Sequence, residues 1–303
     1  MGSLVLGTAQ FGSGYGFSNR RGILDAAQVC ELVRVAWECG IRTFDTAQSY
    51  GASERLLGQA LRTLGVEHEA RVITKLDRSV DARNARAVLC ACEMSRARLG
   101  VSRLNAVLLH REALLDHWDD GVGNALRAAV GAGLVEDIGA SVYDPQRALQ
   151  ALDLEGVSAL QFPTNILDHR FVSAGVFERA AQRGVTCFIR SVYLQGLLLM
   201  DEEVVPTDMA FVRPILATLA HLSASIGVSR HALVLGYIRA AFPNAKVIIG
   251  AEDPAQVRVN AQLWDTCTTI DRMQLQHVRV AFMEIDRRVL NPLLWPMYSH
   301  LTA

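Results

Sequence analysis

Short β-branched and aliphatic runs alternate with longer stretches of helical period along almost the whole chain, and this alternation narrows the fold more than any other feature. The strand candidates are Leu4–Leu6, Ile41–Phe44, Val72–Thr74, Ala106–Leu109, Asp137–Gly139, Ala159–Phe162, Thr186–Ile189 and Val247–Ile249. From the second to the eighth their starts advance by about 30 residues, the length of one strand–helix unit, except for one wide gap before the last. That gap holds two helix-like stretches separated by Gly227, Val228 and Ser229. Amphipathic segments fill the other intervals. One, from Ala26 to Cys39, puts Val29, Leu32, Val33 and Ala36 on one face; another carries Val88, Cys92, Ser95 and Leu99 before Gly100, a natural helix stop. Asp144-Pro145 and Asp253-Pro254 each read as an N-cap followed by proline at the first helical position.

Continuously apolar strands alternating with helices argue for a parallel sheet covered on both faces. Eight such units in 303 residues fit a (β/α)8 TIM barrel, a parallel eight-stranded barrel forming one domain over residues 1–303 with its active site at the C-terminal face. An open doubly wound sheet would carry a glycine-rich phosphate turn after the first strand. The only cluster there, Gly12, Gly14 and Gly16, has the wrong spacing, and polar Ser18–Gly22 follows it instead of a helix. It reads as a flexible loop at a barrel mouth. The tail, ending in Leu293-Leu294-Trp295-Pro296, is expected to dock on the barrel.

Half the residues are hydrophobic and 20% are charged, which suits a buried core. Lys and Arg total 30 against 31 Asp and Glu, so no long-range field recruits nucleic acid or an anionic membrane. A local basic pocket for one phosphate is compatible with that balance. The N-terminus lacks a positive region, its apolar run Leu4–Gly7 is short for a signal peptide, and Leu6 stands where myristoylation wants Ser or Thr. No uncharged stretch approaches the ~20 residues of a membrane span. The expected location is cytoplasmic. Cys30, Cys39, Cys90, Cys92, Cys187 and Cys267 show no Cys-x-x-Cys spacing and read as reduced packing residues. His68, His110, His117, His169, His221, His231, His277 and His300 form no His-x-His or His-Glu-x-x-His pattern, so no metal site is expected.

Polar residues end the apolar strands. Asp45 follows the second candidate and Lys75 the third; His110 follows the fourth and Ser141 the fifth. Gln161 lies near the end of the sixth, and Arg190 and Ser191 end the seventh, while the loop after Asp45 adds Tyr50. Packing alone does not select so many polar residues at one face of a barrel.

These residues resemble the aldo-keto reductase family. The resemblance is carried by Gly40-Ile41-Arg42-Thr43-Phe44-Asp45-Thr46-Ala47-Gln48-Ser49-Tyr50-Gly51 with Ser53-Glu54, by Ile73-Thr74-Lys75 and by Leu108-Leu109-His110. It continues through Ile138-Gly139-Ala140-Ser141 and Ile248-Ile249-Gly250-Ala251-Glu252-Asp253-Pro254, across nearly the whole chain in the family's order and spacing. It implies NAD(P)H-dependent reduction of a small aldehyde or ketone, including sugar derivatives, to the alcohol. The chemistry fits these residue types. An alkoxide formed by hydride transfer must be protonated as it forms. Tyrosine, with an ordinary pKa of about 10, is a poor acid near neutrality without a cation beside it. The resemblance therefore makes Tyr50 the acid, Lys75 its tuner, Asp45 the anchor of Lys75, and His110 the residue that orients the carbonyl. The hydride comes from a nicotinamide.

By the same resemblance, Ser141 and Gln161 hold the nicotinamide amide, Arg190 stacks on its ring, and Ser191 lies near the pyrophosphate. The unit containing Gly250, Glu252, Gln256 and Asn260 holds the adenosine end, where a helix N-terminus suits phosphate. Family habit favours NADPH. Many members have Asn at the position of Val142, so one amide contact is missing here, and many that prefer NADPH have Lys, Arg and Glu at the positions of Gly250, Gln256 and Val259. These departures, with Glu252 and Asp253 adding negative charge, bring NADH forward unless Arg258 folds back. Phe11, Tyr15, Tyr143, Tyr193 and the segment around Trp295 are expected to wall the substrate pocket. Two other barrel chemistries receive little support: a metal-dependent hydrolase, because the histidines show no ligand pattern, and a Schiff-base aldolase, because a lysine paired with Asp45 stays protonated. The main rival is a nicotinamide-binding barrel acting as a sensor or regulatory subunit with little turnover. Oligomeric state is not legible.

Overall fold

Parallel pairing around the full circle joins eight strands into a closed barrel in sequence order. The structure, a computed structural model, describes residues 4–266 and 270–296. The strands are β1 (Leu4–Gly7), β2 (Thr43–Asp45), β3 (Arg71–Lys75), β4 (Leu104–Leu109), β5 (Val135–Ser141), β6 (Val157–Pro163), β7 (Thr186–Arg190) and β8 (Lys246–Gly250). β1 closes on β8 from Leu4 opposite Val247 to Gly7 opposite Gly250. This is the (β/α)8 TIM barrel expected from the alternation. Every candidate run holds a strand, with one shift of boundary. Ile41 lies outside β2, and its buried side chain and its N–H to Ala36 O (2.9 Å) finish the preceding helix instead.

The outer helices follow from their caps and faces. α1 (Ala26–Glu38) opens with a reciprocal capping box between Asp25 and Gln28 and buries Val29, Leu32, Val33 and Ala36. α2 (Ser53–Leu64) follows β2. α3 (Ala85–Leu99) starts at the Asn84 cap and stops at Gly100, whose φ of 75° is left-handed. α4 (Gly123–Gly131), α5 (Pro145–Asp153) and α6 (Val176–Arg183) complete the next three units, with Asp144 capping α5 through the Gln146 N–H. The wide gap before β8 contains α7 (Arg213–Ile226) and α8 (Arg230–Ala241), separated as expected by a left-handed Gly227 and the Ser229 cap. α9 (Pro254–Thr266) and α10 (Arg272–Ala281) follow β8. Thr207–Ile226, with a mean hydropathy of 1.4, is long and apolar enough by composition to cross a membrane. It carries Asp208 and Arg213, and it buries Leu216, Leu219 and Leu222.

A large apolar cluster lies between barrel and helices, and a smaller one of Val5, Ile73, Ala106, Leu108, Ala159, Phe188 and Ile248 fills the barrel interior. Cys92 and Cys187 are buried, Cys30 and Cys39 half-buried and Cys90 exposed, all as free thiols; Cys267 and His300 lie outside the described residues. Two expectations need revision. Gly12 is not part of a loose loop but ends a helical turn, Ala9–Gly12, where an added Cβ would lie 1.7 Å from Tyr50 O. Only part of the tail docks. Trp295 is fully buried, donates from its indole to Arg288 O (2.9 Å) and meets Phe17 edge-on, while Leu293 and Leu294 stay exposed.

Gly139 marks a close approach of β5 to β6. The β5–β6 register shifts beside it, and a Cβ there would lie 1.6 Å from Ala159 O, a backbone atom that cannot yield without moving β6. Gly139→Ala should therefore destabilise the protein by about 3 kcal/mol, the upper range for overpacking. Urea unfolding monitored by circular dichroism measures it.

Candidate active site

Strand alternation builds the site. The residues filling the barrel lie two positions before the polar ones, so Ile73 precedes Lys75, Leu108 precedes His110, Ala159 precedes Gln161 and Phe188 precedes Arg190. A period of two keeps each pair on the inward face, and the polar member sits nearer the C-terminal rim.

Asp45 pairs with Ile73 across β2 and β3, so Lys75 stands two residues beyond it and bends its long stem back. Its Nζ donates to both Asp45 carboxylate oxygens (2.8 Å each) and to Thr46 O (2.9 Å), using all three ammonium hydrogens. Both residues are buried, Lys75 at 1% exposure and Asp45 at 5%. Burial pulls the Lys75 pKa down, but the Asp45 charge, Tyr50 and the hydrogen bonds to Asp45 outweigh it and hold the lysine above its ordinary value. The ammonium lies 5.1 Å from the Tyr50 ring centre, and the rings of Tyr50 and His110 meet edge-on at 5.9 Å. The structure thus brings Asp45, Lys75, Tyr50 and His110 into one cluster.

The loop bearing Tyr50 is held from below. Thr8 Oγ1 donates to Asp45 O (2.9 Å), Ser53 Oγ contacts Thr8 Oγ1 (2.7 Å) and Thr46 Oγ1 (3.0 Å), and Ser53 Oγ also donates to Thr8 O (2.9 Å). Glu54 bridges Arg98 and Thr74, both at 2.7 Å. Gly51, at a left-handed φ of 54°, presses on Gly12 from the other side.

A cavity of about 450 Å³ runs from Asp45 and Tyr50 past Arg190 and Ser191 to Gly250, Glu252, Gln256 and Asn260. Arg190, Ser191, Gly250, Glu252, Gln256 and Asn260 are six of the eight residues assigned by sequence to the cofactor. Ser141 and Gln161 are not among its lining residues. They are buried beneath it, with Ser141 Oγ 3.4 Å from Gln161 Oε1, and the Gln161 amide donates to Asp45 Oδ1 (2.7 Å). Arg190 rests on the Tyr143 ring at 4.1 Å. Tyr15 and Tyr193 line the cavity, whereas Phe11 is core and Trp295 packs away from it. Arg258 does not fold back toward the cavity, because it pairs with Glu38 on α1 (3.3 Å). The head of α9 is already engaged: Asp253 accepts from the Ala255 N–H (2.6 Å) and pairs with Arg21, and Gln256 Oε1 accepts from the Glu252 N–H (2.9 Å). Burial raises the Glu252 pKa, against the Arg20 backbone and the Arg21 charge.

Two groupings escaped the sequence reading. Tyr193, His231 and Asn260 join β7's loop, α8 and α9 at the far end of the cavity: Tyr193 donates to Asn260 Oδ1, and His231 Nε2 is 2.9 Å from the Tyr193 hydroxyl and 2.8 Å from Asn260 Oδ1. The second is Ser49 Oγ, 3.1 Å from His110 Nδ1. The turn after β7 also carries Ser191, Leu194 and Gln195 at φ of 61°, 49° and 56°, conformations costing non-glycine residues about 1–3 kcal/mol each. Of these, Ser191 and Gln195 line the cavity. Among the described residues no cluster of potential metal ligands occurs.

Comparison with known proteins follows the same lines. The aldo/keto reductase family profile matches residues 3–279. A 9,11-endoperoxide prostaglandin H2 reductase of Trypanosoma cruzi is 34% identical over 125 residues, 40% of this chain and 41% of that protein, so the match spans about two fifths of the relative's length. An aldo-keto reductase from Bacillus halodurans, solved in its holo form, superposes with a TM-score of 0.76 at 19% identity over 95% of both chains. One from Klebsiella pneumoniae, solved with NADP and acetate, gives 0.71 at 19% identity over 94% of this chain and 93% of that one. At these identities the two structures establish likeness of fold.

Burial, then the charges of Lys75, Arg78 and Arg190, push the His110 pKa from an ordinary 6.5 down to about 4, with Asp77 opposing. The unfolded chain binds this proton first as pH falls. The stability contributed by the neutral ring is therefore complete above about pH 6.5 and is lost as pH drops through 4. An NMR titration of the His110 ring should find its midpoint near 4.

Proposed function

The chain belongs to the aldo/keto reductase family, and from that premise we propose that it is a nicotinamide-dependent oxidoreductase reducing a small aldehyde or ketone to the alcohol at Tyr50. The observation that carries this reading is the buried ammonium of Lys75, held by Asp45, 5.1 Å from the Tyr50 ring at one end of the cavity.

The residues present fit a dinucleotide. The cavity falls within the ~300–1,000 Å³ of small-molecule pockets. It is elongated between a proton-donating end and the head of α9, and its rim offers Arg190 beside Ser191. Arg190, Ser191, Gly250, Glu252, Gln256 and Asn260 would hold the group. A bound reduced nicotinamide supplies the hydride to the carbonyl carbon. Tyr50 gives its proton to the carbonyl oxygen as negative charge develops there, and Lys75 stabilises the phenolate left behind. Asp45, steadied by Gln161, keeps Lys75 in place. His110, neutral, donates to the same oxygen and orients it. In the reverse direction the Tyr50 phenolate accepts the alcohol proton. Ser141 is read as supporting the nicotinamide end through Gln161 rather than from the cavity wall.

The charges at the far end favour the coenzyme without a 2′-phosphate. Glu252 lines that end, Arg21 is engaged by Asp253, and Arg258 is engaged by Glu38. A dianionic phosphate would meet carboxylates and no free guanidinium from these residues. NADH should therefore bind more tightly than NADPH in a fluorescence titration; a large preference for NADPH contradicts the assignment. Gln256→Arg should raise NADPH affinity about tenfold, equivalent to ~1.4 kcal/mol.

Tyr50→Phe should lower kcat by about 10²–10⁴, the usual contribution of a general acid, and leave coenzyme affinity unchanged. Steady-state kinetics over a carbonyl panel, paired with the same titration, checks it. Near-full activity in this variant removes Tyr50 from the reaction.

A further inference from the structure

Ser49 sits immediately before Tyr50 and is exposed. Its backbone is pinned on both sides. Gln48 Nε2 donates to Ala91 O (3.0 Å) and Ser95 Oγ (2.9 Å), and Gln48 Oε1 accepts from the Asp77 N–H (2.8 Å). Tyr50 N donates to Ala47 O (3.0 Å), and Tyr50 O accepts from Ser53 N (3.0 Å). This rigid frame points the Ser49 hydroxyl at His110 Nδ1, 3.1 Å away. A surface serine needs no such frame for stability. The frame that seats Tyr50 also places this hydroxyl against the imidazole.

We propose that Ser49 is a positioning residue for the reduction: by donating to Nδ1 it fixes His110 as the tautomer carrying hydrogen on Nε2, the nitrogen that donates to the substrate carbonyl. The inference rests on the role given to His110 above. A neutral imidazole has a single N–H, so the hydrogen bond at one nitrogen decides what the other can do. If Nδ1–H donated to Ser49, Nε2 would present a lone pair to the carbonyl oxygen and repel it. The alternative of a doubly protonated ring is opposed by the groups facing it, because Lys75, Arg78 and Arg190 outweigh Asp77 and Tyr50 contributes a ring edge. When the Ser49 hydroxyl donates to Nδ1, the single hydrogen of the neutral ring is carried on Nε2.

The test reads tautomer and turnover separately. Nitrogen-15 NMR of the free protein near pH 7 should show His110 with hydrogen on Nε2. Ser49→Ala should reduce the population of that tautomer and lower kcat about tenfold, the scale of one lost hydrogen bond, without changing coenzyme affinity. Ser49→Thr, which keeps the hydroxyl, should restore both. Hydrogen on Nδ1 in the unaltered protein, or an unchanged tautomer in Ser49→Ala, overturns the inference. A shifted tautomer with unchanged turnover also overturns it and, in addition, removes the carbonyl-orienting role from His110. Retained activity in Tyr50→Phe defeats the broader reading whatever the tautomer is, so the two failures are distinguishable.

Discussion

A lysine ammonium buried inside a barrel is tolerable only when every hydrogen it carries has an acceptor, and Lys75 meets that condition. Two of its hydrogens go to Asp45 and the third to Thr46 O. Desolvating both ions is expensive, and leaving either one unpaired would cost about 3–5 kcal/mol. The surroundings are correspondingly specific. Gln161 supplies a further donor to Asp45, and the Thr8–Ser53–Thr46 hydroxyls fasten the end of β2, from which Asp45 projects, to that of β1. A simple apolar core would serve the barrel as well or better. What the ion pair provides is a fixed positive charge beneath the Tyr50 ring in a place where water cannot screen it.

The geometry that delivers this charge was largely legible beforehand. Continuous apolar strands at a regular interval specify a closed parallel barrel, and in such a barrel the residues ending each strand share one rim. Asp45, Lys75 and Arg190 are the last residues of their strands, and His110 follows its strand directly. The alternation was also strong enough to locate the helices flanking each strand, because caps such as Asp144 and stops such as Gly100 act locally.

Less was legible where the outcome depends on tertiary contacts. Phe11 and Trp295 are aromatic and close to the rim in sequence terms, yet both are buried in packing, since apolar rings fill the core as readily as they line a pocket. Arg258 has a carboxylate partner on α1 that no sequence spacing reveals. The glycines near residue 12 suggested freedom, whereas Gly12 is there because its backbone touches that of Tyr50. Tyr193 was expected at the pocket, but nothing in the sequence links it to His231. Only the folding of β7's loop against α8 and α9 brings them to Asn260. Ser49 was in plain view within the matching stretch, but its significance lies in the distance to a ring 61 positions away.

The central claim is that the Asp45–Lys75 pair enables Tyr50 to give up its proton. Substituting the pair together, Asp45→Asn with Lys75→Met, removes both charges without stranding either one, so the barrel should remain folded. The direct measurement is single-turnover oxidation of bound reduced nicotinamide by a carbonyl compound, followed by the loss of coenzyme absorbance. The account predicts at least a hundredfold slower decay with unaltered coenzyme affinity, on the scale of lost acid catalysis. Decay within a few-fold of the unaltered protein would contradict it.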